Sequence, residues 1–122
     1  MSDPVVVFPH HKLDAYNVSV ELAVAVRALV ERMPRGNSSL SDQMGRASVS
    51  TVTNIAEGAN RLGTGEKRQT FSIARGEVGE CAACIELAAA LGFVPGPDAL
   101  AAQVLAGRVA AMLTRLIQRF GG

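Results

Sequence analysis

Residues 40–61 read LSDQMGRASVSTVTNIAEGANR. Met44, Val52, Ile55, Ala59 and, one step beyond, Leu62 fall on one face at about 100° per residue, which predicts an amphipathic helix from about Leu40 to Arg61. Ser39 stands three residues before Asp42, a variant of the capping box that opens such helices. Nearly opposite the apolar face run Ser50, Asn54, Glu57 and Arg61, a polar line that the core has no use for. Its neighbours Ala47, Thr51, Gly58, Val49, Thr53 and Ala56 are small or apolar, not the Lys and Glu that ordinarily coat a wet helix. A mid-helix glycine such as Gly58 costs about 1 kcal/mol relative to alanine, so a close approach at that position is expected to offset it.

Outward from this stretch the chain divides into four segments. Pro34-Arg35-Gly36-Asn37, Gly63-Thr64-Gly65 and Gly92 to Pro97 are the breaks. Before the first break, Ala15, Val18, Leu22, Val26, Leu29 and Met33 recur at three- and four-residue steps, a helical stripe to which strand alternation does not fit. After the second, Phe71, Ala74, Val78, Cys81, Ile85 and Ala88 repeat it, with Glu66 in the first turn where the helix dipole favours an acid. The last segment opens on Pro97 and Asp98 and carries Leu105, Val109, Met112, Leu116 and Phe120 on one face, with Arg115 and Arg119 near its end. Four helices over about 12–33, 40–61, 66–91 and 98–120 with short loops predict an all-α, antiparallel up-down-up-down four-helix bundle spanning residues 1–122 as one domain. Residues 1–9, with β-prone Val5 to Phe8 between Pro4 and Pro9, read as an extended arm.

Composition narrows the function. The core has to be built from small aliphatic residues, since 48% of the chain is apolar but only 4% aromatic, with no Trp. A net charge of +1 argues against a protein that coats DNA through one strong field. The longest run free of charge, Leu87 to Pro97, is broken by Gly92 and Pro95 and too short for a bilayer, so no membrane contact is expected. No secretory signal is evident, which points to the cytoplasm and to reduced thiols at Cys81 and Cys84.

Three residue arrangements bear on chemistry. Cys81-Ala82-Ala83-Cys84 lies mid-helix without a second ligand pair, and His10 and His11 lie far off on the arm, so the thiols read as small apolar side chains. Glu77, Glu80 and Glu57 form a carboxylate set, but a di-iron bundle needs Glu-x-x-His motifs and there are none. No nucleophile elbow or phosphate loop is present. The chain is read as a non-enzyme with no cofactor, no metal and no small-molecule substrate.

The third predicted helix also has a second face, Ser72, Gly76, Gly79 and Ala83 with Ile73 and Leu87 nearby, a groove of small residues; the first adds Val20 and Val24. One four-helix core cannot bury all of these, and self-association is the simplest cover. Ser50, Asn54, Glu57, Gly58, Arg61, Ser72, Gly76, Gly79 and Ala83 are therefore the expected contacts between subunits. The alternative partner is RNA or DNA, or an enzyme acting on it, met by Arg46, Arg68 and Arg75 or by Arg108, Arg115 and Arg119 on one stripe of the last helix. With one Tyr and four Phe, a base-stacking platform is hard to build.

The two runs LSDQMGRASVSTVTNIAEGANR and EKRQTFSIARGEVGECAACIELAAALGFV (residues 66–94) resemble the bacterial 23S rRNA intervening-sequence protein family. The shared residues are Gln43, Arg46-Ala47, Ser50, Asn54 to Gly58, Arg61, Glu66, Phe71, Ile73-Ala74, Gly76 and Glu80. The resemblance covers roughly residues 12–94 and implies a four-helix bundle assembled as a ring-like homopentamer. It also implies kinship with the accessory protein of diversity-generating retroelements, which works with a reverse transcriptase. This chain departs from the family at Gly45, where Arg is common, at Thr51-Val52 and at Cys81 to Cys84.

Overall fold

The computed structural model describes residues 7–121. Four helices follow in order, α1 (Asp14–Arg32), α2 (Ser38–Asn60), α3 (Thr64–Ala90) and α4 (Gly96–Arg119), preceded by a short 3-10 turn, η1 (Pro9–Lys12). Each long helix packs against its neighbours in sequence and α4 closes the square against α1, while diagonal pairs stay apart. The all-α, up-down-up-down bundle is as predicted, with every helix boundary within two residues of its expected place.

The ends form for local reasons. Met33 is extended at the close of α1, as the residue before Pro34 must be. Gly92 takes φ +77 and ends α3 in a Schellman turn: the Gly92 N–H donates to Ala89 O and Phe93 N–H to Ala88 O, at 3.0 and 2.8 Å. At the end of α2, Lys67 Nζ donates to Ala59 O at 2.8 Å and so caps a free carbonyl from outside the helix. An exposed ion pair between Arg32 and Asp98 joins the end of α1 to the start of α4.

The core is small-residue aliphatic, as composition demanded, with Leu22, Met44, Ile55, Phe71, Ile85 and Leu113 its largest fully buried members. Two of the predicted stripes are displaced. In α2 the buried positions are Met44, Ala47, Ser48, Thr51, Ile55, Gly58 and Ala59; Val52 is only half-buried and Leu62, past the helix end, is 96% exposed. In α4 the centre of the buried face is Ala99, Ala102, Ala106, Val109 and Leu113, and the larger Leu105, Met112, Leu116 and Phe120 flank it.

Polar residues enter this core because their hydroxyls bond back into their own helix. Ser48 donates to Gly45 O at 2.8 Å, Thr51 to Ala47 O at 2.7 Å, Thr70 to Glu66 O at 2.9 Å and Ser19 to Tyr16 O at 2.7 Å. That removes the penalty for burying them.

Residues 1–6 of the expected arm lie outside the described residues. Of its last part, Phe8 is extended, while Pro9 opens η1 with the residues that follow, and His10 and His11 are held there against Tyr16 at ring-centroid distances of 4.6 and 6.2 Å. Proline at the first position fixes φ for such a turn, and Phe8 N–H donates to His11 Nδ1 at 3.0 Å.

The absence of any membrane-length helix does not hold as expected. α4 is long and apolar enough to cross a membrane by length and composition, with a mean hydropathy of 1.4. Its hydropathy comes mainly from Leu100, Val104, Leu105, Val109, Leu113, Leu116 and Ile117; 28% of that stretch is buried in the bundle, Leu100 and Val104 are exposed, and Arg108 lies in its middle.

Candidate functional site

The polar line on α2 is a string of short-range contacts. Asn54 Nδ2 donates to Ser50 O at 2.9 Å and lies 3.0 Å from Ser50 Oγ, while Arg61 Nη2 meets Glu57 Oε2 at 2.6 Å. Arg61 also reaches Glu66 of α3 at 3.7 Å. Ser50 and Asn54 are half-buried and Glu57 and Arg61 exposed, so the line faces outward as expected. Exposed i,i+4 pairs of this kind contribute only a few tenths of a kcal/mol (about 0.3–0.5), which leaves the line little role in holding the fold.

Gly58 is corrected. It is buried and faces the interior of its own chain: a Cβ there would stand 2.8 Å from Phe71 Cε1. The close approach expected at this glycine is thus between α2 and α3 of one molecule, and Gly58 is not a residue of the outer face.

Ser72, Gly76, Gly79 and Ala83 are all exposed on α3, and nothing lies within 4 Å of where a Cβ would sit on Gly76 or Gly79. Ile73, Leu87 and Leu91 beside them are about half exposed. The structure joins the two faces at one end, where Glu57 of α2, Arg61 just past its end, and Gln69 and Ile73 of α3 line a shallow hollow of about 280 Å³. Further along, Arg46 bridges to Glu80 at 3.6 Å.

A second outer surface was only half visible in the sequence. Val20 and Val24 of α1 meet Val49 and Val52 of α2 in an open, almost wholly apolar groove of about 340 Å³. Val24 is 68% and Val49 58% exposed. Val49 belonged to a run read only as flanking the polar line, and its partnership with α1 depends on how the helices are rotated, which the sequence does not state.

The arginines proposed for nucleic acid divide into two sets. Arg46 is taken by Glu80, Arg68 Nη1 donates to Phe120 O and Gly121 O at 3.2 and 3.4 Å, and Arg75 Nε donates to Thr114 Oγ1 at 3.2 Å. Arg108, Arg115 and Arg119 have no such partner among the described residues. Arg115 and Arg119 line a cavity of about 300 Å³ together with Lys12, a residue that sequence reasoning passed over because it lies one hundred residues away.

The thiols are free and buried. Burial, then the neighbouring Cys84 and Glu80, push the Cys81 thiol up to about 12, and Cys84 is raised for the same first reason. Such thiols are neutral and unreactive at ordinary pH. Among the described residues no three His, Cys, Asp or Glu side chains gather as a metal site.

The sequence pattern of the 23S rRNA-intervening sequence proteins matches residues 11–115. The chain belongs to that family. A crystal structure of a protein with unknown function from the S23 ribosomal protein family of Bacteroides thetaiotaomicron has the same fold, with a TM-score of 0.79 at 19% identity. The similarity covers 85% of this chain and 98% of that one. No curated protein matches. The family is one of unknown function and carries no catalytic assignment.

Proposed function

We propose that this member of the 23S rRNA-intervening sequence protein family is a non-catalytic assembly unit, a homo-oligomer whose subunits meet through the outer faces of α2 and α3. One observation carries the reading. Gly58, Gly76 and Gly79 each cost helix stability of about 1 kcal/mol relative to alanine; within the chain the missing side chain is accounted for at Gly58, by Phe71, and at neither Gly76 nor Gly79. A second copy settling against α3 would need both small residues, and would cover Ile73 and Leu87. Ser50, Asn54, Glu57 and Arg61 supply the polar edge of that contact. A ring-like pentamer, implied by the family resemblance, is the expected stoichiometry, and the cytoplasm the expected location. No membrane partner is proposed: α4 packs against both α3 and α1 as one wall of the bundle and carries Arg108, Arg115 and Arg119 along its length.

The test is light scattering coupled to size exclusion, at low and high salt, on the wild type, Asn54→Leu and Gly76→Leu. The expected result is a discrete salt-resistant oligomer that shrinks in both variants while helix content stays constant. A wild-type monomer, or variants that keep the wild-type mass, would overturn the reading.

The second reading, an RNA- or DNA-binding adaptor, is favoured only by Arg108, Arg115 and Arg119, since Arg46, Arg68 and Arg75 are engaged. It predicts nucleic acid co-purifying at low salt and lost steeply as salt rises.

A further inference from the structure

Of the chain's twelve Lys and Arg, seven hold an ion pair or a hydrogen bond: Arg27, Arg32, Arg46, Arg61, Lys67, Arg68 and Arg75. Among the described residues five do not, and three of those five, Lys12, Arg115 and Arg119, line one hollow between the start of α1 and the end of α4. Asp14 is the one acid lining it, and it forms no ion pair with them among the described residues. The wall between the cations is apolar, formed by Met112 and Leu116.

The cations are only partly compensated within the chain, by Asp14 in the first turn of α1. Arg119, in the last turn of α4, suits the negative end of that helix dipole, but Lys12 sits two residues before the first residue of α1, near the positive end where a cation is disfavoured. The N-cap of α1 is Leu13, which has no side-chain acceptor to offer the free N–H groups of the first turn. Like charges are thus gathered beside a positive helix end, in a hollow open to solvent. A bound anion relieves this repulsion.

From this geometry we infer that the hollow is a phosphate-binding site. Arg115 and Arg119, one turn apart, can each offer two parallel N–H donors, the geometry that matches phosphate oxygens, and Lys12 adds a point charge. The apolar wall would lie against whatever carries the phosphate. That carrier is either a free phosphate or nucleotide, or the phosphodiester backbone of a strand. The site lies within one chain and does not depend on self-association.

The experiment is calorimetric titration at low salt with two probes, inorganic pyrophosphate and a twelve-nucleotide single-stranded RNA. It compares the wild type with Arg115→Gln/Arg119→Gln and with Arg27→Gln/Arg35→Gln, which removes the same charge elsewhere. All four arginines are exposed, so both double variants should fold, and circular dichroism checks this. The expected result is saturable binding of at least one probe, weakened about tenfold or more in the first variant and no more than about twofold in the second. Binding of pyrophosphate alone assigns a free phosphate or nucleotide; binding of RNA that pyrophosphate displaces assigns a phosphodiester strand. No binding of either probe, or equal loss in the two double variants, overturns the proposal.

Discussion

The Phe71 ring occupies the place that a side chain at position 58 would fill, with Cε1 only 2.8 Å from an added Cβ. Phe71 is 1% exposed and is stacked on Phe120 at a centroid distance of 6.1 Å, so it has little room to swing aside. Gly58→Ala therefore sets an overpacking cost of about 1–3 kcal/mol against a helix-propensity gain of about 1. The net expectation is destabilisation, read as a lower midpoint in urea. Gly45→Ala, also within α2 but with nothing near the added atom, is expected to raise the midpoint by up to about 1 kcal/mol. Equal gains from both substitutions would mean that α2 and α3 do not approach this closely.

The bundle itself was legible because each helix repeats an apolar step three or four residues apart and ends at Pro or Gly. Which side of α2 faces inward was not. Reading apolar residues alone selected Val52 and Leu62 and passed over Thr51, Ser48 and Gly58, since a hydropathy pattern shows neither that a hydroxyl will bond back to its own helix three or four residues away nor that Phe71 will close over a glycine. In α4 the larger side chains drew the predicted stripe to Leu105 and Met112, whereas close approach to α1 and α3 selects the alanines. The outer faces were legible as small-residue stripes. The Lys12, Arg115, Arg119 cluster was not, because only the closure of α4 on α1 brings it together.

Leu62 and Leu22 test the corrected core. Leu22 is fully buried and Leu62 is 96% exposed beyond the end of α2. Leu22→Ala should cost about 2–5 kcal/mol and Leu62→Ser less than about 0.5 in denaturant unfolding. A loss above about 2 kcal/mol at Leu62 would return it to the core and contradict the helix end at Asn60.

The cysteines should be silent in the folded chain. With the Cys81 thiol pushed up to about 12 by burial, almost no thiolate exists at pH 8. A thiol reagent at that pH is expected to label Cys81 only as fast as the protein opens, and immediate labelling of the native state would refute its burial. The folded value lies above the ordinary thiol value of 9.0, so the stability contributed by the neutral thiol is complete below 9.0 and falls away as pH rises toward 12.

His10 carries the opposite sign. Burial first and His11 second lower its pKa; its Nδ1 lies 2.9 Å from Asn60 Nδ2, which also donates to Ala56 O, so the ring nitrogen acts as the acceptor. Both protons of the amide are used, and a protonated imidazole has no acceptor to present. Of the neighbouring charges, Lys12 and Asp14 flank the turn, and Glu57 on α2 is engaged by Arg61. A folded pKa below the ordinary 6.5 means that this contribution to stability is present above 6.5 and lost as pH falls through the folded value. Proton NMR should show His10 titrating at lower pH than the ordinary histidine value, and Asn60→Asp, which places a carboxylate against the ring, should move it upward. If the substitution left the His10 titration unmoved, the contact that ties η1 to the end of α2 would not exist in solution.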